Sequence, residues 1–85
     1  MSVVEANGLQ MYYEIRGRGQ PLVMIMGLGA NLDWWDEAVV DRLARRYRLL
    51  LFDNRGAGRT AKPAGPYTIP LFADDTAALM DRVGI

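Results

Sequence analysis

The sequence has 85 residues, of which 51% are hydrophobic and 24% are charged, and its ten basic residues balance ten acidic ones. This length fits one small domain or a piece of a larger one, because independent domains most often have about 100 to 150 residues. The composition excludes a disordered chain, and the balanced charge argues against a nucleic-acid or acidic-membrane partner.

The side chains that usually perform nucleophilic catalysis are scarce. The sequence has no cysteine and no histidine, and its single serine is Ser2, beside the initiator methionine. The lack of cysteine excludes a thiol nucleophile and favours a reducing compartment, so we predict a cytoplasmic location. The lack of histidine removes the usual base that takes a proton from serine. We predict no cofactor and no metal site.

The N-terminal segment indicates a hairpin. Strand-like runs at 3–6 and 9–15 flank Asn7-Gly8, the dipeptide best suited to a two-residue turn. The second run alternates, with its apolar face formed by Leu9, Met11, Tyr13 and Ile15 and its polar face including Tyr12. After a turn that contains Pro21, the apolar run 22–26 predicts a strand buried on both faces. This run is too short to cross a bilayer, and the first residues do not form a signal peptide.

A helix and another strand should follow. Residues 27–31 form a glycine-containing loop, and the apolar spacing over 33–46 predicts one helix capped by Asn31 or Asp33. Residues 47–52 read as a buried strand, followed by a turn-rich segment at 53–60. Thr68 is a plausible cap for a second helix that Gly84 would end. A buried strand, a helix and another buried strand in succession imply a parallel crossover, and the pattern stops at a helix.

Two of these loops resemble the α/β-hydrolase family. Met26-Gly27-Leu28-Gly29 is similar to the His-Gly-x-Gly loop after its third strand, with Met for His. The segment 53–60, Asp-Asn-Arg-Gly-Ala-Gly-Arg-Thr, resembles its Asp-x-Arg-Gly-x-Gly-x-Ser motif, with Thr for Ser. The resemblance implies an α/β fold in which residues 1–85 are a partial domain, a four-stranded mixed sheet of order 1-2-4-3 with two helices. It also implies that the chain ends before the G-x-S-x-G nucleophile elbow.

The same resemblance assigns the candidate site. It implies that the backbone N–H of Leu28 is an oxyanion donor, and that Gly27 and Gly29 give the loop its backbone freedom beside the substrate. The alternative is a strand-to-helix turn without chemistry. Trp34 is a candidate for lining the substrate cleft, whereas Trp35 is more typical of core packing. For Asp53 and Arg55 we favour a structural role in the turn over a catalytic one.

Two functional hypotheses remain open. The first is the N-terminal segment of a serine hydrolase for a small-molecule ester, lactone or related acyl substrate, nearest to enol-lactone hydrolases and small esterases by resemblance. The chain alone is then expected to be inactive. The second is a non-catalytic module, a homo-oligomer or the complement of a C-terminal chain, that associates through the bare edge of its third strand. The glycine loops at 27–32 and 53–60 match dinucleotide and P-loop motifs poorly.

Overall fold

The computed structural model describes residues 2–27 and 29–85. Within these two ranges it shows four strands, two α-helices and one 3₁₀ turn. In chain order they are β1 (Ser2–Ala6), β2 (Leu9–Arg16), β3 (Gln20–Met24), the 3₁₀ turn (Leu32–Trp34), α1 (Glu37–Ala44), β4 (Tyr47–Phe52) and α2 (Ile69–Val83). None of the helices in the described ranges is long and apolar enough to cross a membrane.

The strands form one mixed sheet of order β1-β2-β4-β3, which confirms the predicted topology. β2 is antiparallel to both β1 and β4, and β3 is parallel to β4 with Val23 opposite Leu50. The β1-β2 turn is the predicted one, because Asn7 and Gly8 both have positive φ, 52° and 76°. β3 lies at the edge of the described sheet and places the loop that follows it beside the end of β4.

Each face of the sheet carries one helix. β4 contributes to both cores, since its side chains alternate between the two faces. The cluster that includes Leu79 of α2 consists of Ala6, Leu9, Met11, Leu50, Phe52 and Leu79. The cluster that includes Val40 of α1 consists of Tyr12, Met24, Leu32, Val40, Leu49 and Leu51. The burial of β4 on both faces is the pattern that its apolar sequence predicts.

The polar face predicted for β2 was wrong at Tyr12. Its side chain is only 5% exposed, because α1 and the residues before it cover this face of the sheet. The Tyr12 hydroxyl donates to Glu14 Oε2 at 2.7 Å, so the buried ring keeps a hydrogen-bonded polar end. At the other end of the strand, Ile15 of the predicted apolar face is 42% exposed.

The predicted bounds of β3 were also wrong. The strand includes Gln20 and Pro21 and ends at Met24, whereas residues 22–26 were predicted. Pro21 is the second residue of the strand, and proline is tolerated near the start of a strand. Residue 26 lies beyond the ladder, and its carbonyl accepts a hydrogen bond from the Asn54 side chain instead of from a strand.

The single helix predicted over 33–46 is two elements. The 3₁₀ turn is capped by Asn31, whose side chain accepts from the Asp33 amide at 2.9 Å. Trp35 is then extended, with ψ of 138°, and Asp36 caps α1 by accepting from the Ala38 amide at 2.8 Å. The predicted run of helical spacing is divided because Asp36, a second capping residue, starts a new helix after the extended Trp35.

The bounds of α2 follow the predicted signals. Thr68 caps its start, with Oγ1 accepting from the Leu71 amide at 3.2 Å. Gly84 ends it in the left-handed conformation, with φ of 78°. The fully buried residues of the helix are Leu79, on its apolar face, and Asp75, which was not predicted.

Candidate active site

The segment after β3 is a turn built from glycines at the carboxyl end of the parallel strands. Gly29 has φ of 78°, and the Ala30 amide donates to the Gly27 carbonyl at 3.2 Å. Leu28, the predicted oxyanion donor, lies outside the described residues. Of the other predicted substrate-binding residues, Gly27 lines an apolar groove and Gly29 is exposed on the turn. We call residues 26–32 the oxyanion loop, after the role that the sequence resemblance assigns to it.

Asp53 holds the far end of the oxyanion loop. Its Oδ1 accepts from the Leu32 amide at 2.7 Å, and its Oδ2 accepts from the Arg59 amide at 2.9 Å. The side chain is completely buried, so both oxygens depend on these bonds in place of water. The structural role predicted for Asp53 is therefore confirmed, and it extends to the loop after β3 as well as to its own turn.

Asn54 holds the near end of the same loop. Its Nδ2 donates to the Met26 carbonyl at 2.9 Å. Asn54 is 6% exposed, and its Oδ1 is buried without a hydrogen-bond partner within residues 2–27 and 29–85. This residue was missed from the sequence. The signal that could have found it is position, because residues that directly follow two parallel strands meet at one edge of the sheet.

Thr60 ties the 53–60 turn to β2. Its buried hydroxyl donates to the Asp53 carbonyl at 2.7 Å and accepts from the Tyr12 amide at 3.0 Å. Both contacts use the hydroxyl alone, so they explain why Thr can stand where the family motif has Ser. Gly58 has φ of 50°, and a side-chain carbon there would collide with the Asp53 carboxylate.

Arg59 closes the outer side of this turn. Its guanidinium lies 4.6 Å from the centroid of the Tyr12 ring, and its Nη2 donates to Asp33 Oδ2 at 2.9 Å. The hydrogen bond with Asp33 is the main cause that raises the pKa of Arg59. The pKa of Tyr12 is also raised, first by its hydrogen bond to Glu14 and then by burial. Both residues therefore keep one protonation state at neutral pH and are unsuited to proton transfer.

Arg55 joins the 53–60 turn to α2, which agrees with the structural role favoured for it from the sequence. Its Nε and Nη2 each lie 2.9 Å from an oxygen of Asp75, and Asn7 Nδ2 donates to the same carboxylate at 2.8 Å. This bidentate hydrogen bond raises the pKa of Arg55. Asp75 was missed from the sequence, although it lies three residues after Phe72 and four before Leu79, on the apolar face of α2.

An open apolar groove of about 790 Å³ lies between the oxyanion loop and α2. Its described lining residues are mostly apolar: Ile25, Met26, Gly27, Asn54, Tyr67, Ile69, Phe72, Ala73, Thr76, Ala77 and Met80. The volume is in the range of small-molecule pockets. Asn54 brings a side-chain amide into this lining, and Thr76 brings a hydroxyl that donates to the Phe72 carbonyl at 2.9 Å.

The two tryptophans have different environments. Trp34 is 70% exposed and is not among the residues that line the groove, so its predicted place in a substrate cleft stays a prediction. Trp35 packs partly against the α1-side cluster, which agrees with the core role favoured for it. Its Nε1 is buried without a partner among the described residues.

The described residues include no cluster of three or more metal-ligating side chains. What the described residues provide is a loop held at Met26 and at Leu32, beside an apolar surface. Such a loop can present N–H groups to a developing negative charge, but it supplies no attacking oxygen or general base.

Comparison with known proteins agrees with this geometry. A sequence profile of the α/β-hydrolase fold family matches residues 20–85. The enol-lactonase from Burkholderia xenovorans LB400 is 33% identical and superposes with a TM-score of 0.90, over 99% of this chain and 34% of its own. The esterase RhEst1 from Rhodococcus sp. ECU1013 is 34% identical with a TM-score of 0.87, over 100% of this chain and 33% of its own.

One further relative is the non-heme haloperoxidase of Rhodococcus erythropolis, 29% identical over 83 residues, which are 98% of this chain and 30% of the relative. The chain thus spans about a third of the length of the proteins it matches. The matched profile, the sheet order and the superposition agree with one another. The chain belongs to the α/β-hydrolase fold family.

Proposed function

We propose that this chain is the N-terminal third of a serine hydrolase that acts on small-molecule esters, lactones or related acyl substrates. Its contribution is the oxyanion loop, with the backbone N–H of Leu28 as one donor to the acyl oxygen. The nucleophile, the acid and the histidine belong to a segment that follows in the complete protein. The similarity to an enol-lactonase and an esterase supports this substrate class.

The observation that carries the proposal is the fixation of the oxyanion loop at both ends. Asn54 binds the Met26 carbonyl, and Asp53 binds the Leu32 amide, so both ends of the loop are held at the carboxyl end of the parallel strands. Ligand sites of open α/β sheets lie at this edge. A simple strand-to-helix turn needs no buried carboxylate and amide to hold it in place.

The test is hydrolysis of a p-nitrophenyl ester by the protein encoded when the reading frame is continued past Ile85. We expect turnover by that longer protein and none by the 85-residue chain. The matched control replaces the serine of the G-x-S-x-G motif in the longer protein by alanine. A longer protein with that motif but with no turnover of esters or lactones would contradict the proposal.

A second candidate function is assembly through the exposed β3 edge. Two features favour it: β3 pairs only with β4 in the described sheet, and the adjacent apolar surface includes Ile25 and Ile69, which are 57% and 79% exposed. Unpaired strand edges beside apolar surface are templates for pairing with another chain. The partner is either a second copy or a chain that carries the remaining strands. A monomer by sedimentation at micromolar concentration, with cooperative unfolding, would contradict this candidate.

A further inference from the structure

We infer that Asn54 is a positioning residue of the proposed reaction: its side-chain amide sets the position of the oxyanion loop, while contributing little to the stability of the fold. The inference rests on the proposed function and extends it to a residue that would act through the position of the oxyanion loop. It depends on three observations. These are the orientation of the Asn54 amide, the lack of a described partner for its Oδ1, and the fact that Asn54 and Asp53 bind opposite ends of the loop.

The orientation of the Asn54 side chain is fixed by chemistry. The Met26 carbonyl can only accept a hydrogen bond, so the group 2.9 Å from it must be the NH₂ of the amide. This bond takes the place of the strand ladder, since the last β3-β4 pair is Met24 with Leu51. The first residue of the oxyanion loop is therefore held to the core by one side chain.

The amide oxygen of Asn54 explains why the side chain contributes little to the stability of the fold. Asn54 Oδ1 is buried, and no residue within 2–27 or 29–85 donates to it. A buried acceptor without a partner destabilises the folded state and offsets the bond that Nδ2 makes. An apolar residue of similar shape would lose the bond and also remove the unpaired oxygen, so the two effects oppose each other.

Asp53 and Asn54 act at different ends of the loop. Asp53 accepts from the amides of Leu32 and Arg59, so its loss would disturb both the loop and the 53–60 turn. Among the described residues, the Asn54 side chain makes one hydrogen bond, to the Met26 carbonyl. We therefore expect replacement of Asn54 to loosen the turn at Gly27 and Gly29, while the Leu32 end stays held.

The first experiment measures amide hydrogen exchange in the 85-residue chain for wild type, Asn54→Leu and the control Asn7→Gly. Asn7→Gly keeps the positive φ of the hairpin turn and removes a side-chain bond to Asp75, and neither residue is among the described lining of the groove or bonds to the oxyanion loop. In Asn54→Leu we expect exchange at the Ala30 amide to rise at least about tenfold relative to that of Leu50 in β4, with little change in melting temperature. In Asn7→Gly the ratio of the two rates should stay that of wild type.

The second experiment measures ester hydrolysis in the longer protein with the same substitutions. For Asn54→Leu we expect kcat to fall about 10- to 100-fold with KM nearly unchanged, because a displaced oxyanion donor is felt mainly in the transition state. Asn7→Gly should keep the wild-type kcat. A purely structural role for Asn54 would lower the melting temperature and leave kcat per folded molecule unchanged.

The outcomes separate the inference from the proposed function. Wild-type exchange at Ala30 in Asn54→Leu would overturn the inference, whether or not the longer protein is active. Increased exchange at Ala30 in a protein without ester turnover would refute the proposed function and retain the loop-holding role of Asn54. Increased exchange with an unchanged kcat would show that loop position does not limit the reaction, which also overturns the inference.

Discussion

Arg55 and Asp75 form a two-pronged ion pair that fastens α2 to the turn after β4. Both nitrogen-to-oxygen distances are 2.9 Å, and the Asp75 side chain is fully buried. Asn7 of the β1-β2 turn adds a third hydrogen bond to the same carboxylate. Three segments far apart in sequence therefore meet at one side chain, on the helix that forms a wall of the apolar groove.

The first prediction concerns Asp75→Asn. The substitution keeps the size of the side chain but leaves the Arg55 charge, which is 12% exposed, without its partner. Weakening these charge-assisted hydrogen bonds should lower the free energy of unfolding by about 1.5 to 3 kcal/mol. Urea denaturation measures the change, and Asp74→Asn, at the exposed neighbouring position, is the control. Equal stability of the two variants would refute the role given to the pair.

Thr60 gives a second prediction, which compares Thr60→Val with Thr60→Ser. Valine matches the shape but leaves the Tyr12 amide and the Asp53 carbonyl without their hydrogen-bond partner, at a cost of about 1 to 3 kcal/mol for each buried group. Serine keeps the hydroxyl and should stay within about 1 kcal/mol of wild type. Thermal unfolding monitored by circular dichroism distinguishes them. If Thr60→Val were as stable as Thr60→Ser, the two hydrogen bonds would contribute nothing.

Gly58→Ala tests the packing of the turn against Asp53. The added carbon would collide with the Asp53 carboxylate at a residue that already has positive φ. Gly84→Ala is the matched control, since Gly84 also has positive φ but open space around it. We expect Gly58→Ala to destabilise the fold by at least about 1 kcal/mol more than the control. If Gly58→Ala and Gly84→Ala had similar unfolding midpoints in urea, the predicted collision with Asp53 would not destabilise the fold.

The fourth prediction concerns alkaline pH. The folded state raises the pKa of Tyr12, through its hydrogen bond to Glu14 and its burial, so folding favours the protonated phenol. This stabilisation is complete below the ordinary tyrosine pKa of about 10 and is lost as pH rises through the higher folded value. Unfolding midpoints measured above pH of about 10 should therefore fall more steeply in wild type than in Tyr12→Phe. If the unfolding midpoints of wild type and Tyr12→Phe fell equally with pH, the raised pKa of Tyr12 would be contradicted.

Much of the fold could be predicted because its signals are local. The Asn7-Gly8 turn, the β4 strand at 47–52 and the Thr68 and Gly84 ends of α2 each depend on a few adjacent residues. The sheet order came from the family resemblance and was confirmed. The break at Trp35 was not predicted, because the helical spacing of apolar residues continues through it. The 3₁₀ turn is capped by Asn31 and α1 by Asp36, and the spacing alone does not show that there are two caps.

The candidate site was less predictable, because its contacts join distant residues. Nothing in the sequence pairs Asn54 with Met26 or Asp75 with Arg55, although each residue stands where a sheet edge or a helix face makes contact possible. The roles predicted for Leu28 and Trp34 remain predictions. The burial of Tyr12 on the presumed polar face depends on α1, which the alternation within β2 does not reveal.

The central claim is that these residues build the oxyanion side of a hydrolase site but contain no nucleophile. Labelling with a fluorophosphonate, followed by peptide mass spectrometry, tests it most directly. The longer protein should carry the label on a serine after residue 85, and the 85-residue chain should label no more than its heat-denatured control. Folding-dependent label on a peptide from residues 1–85 of either protein would contradict the claim.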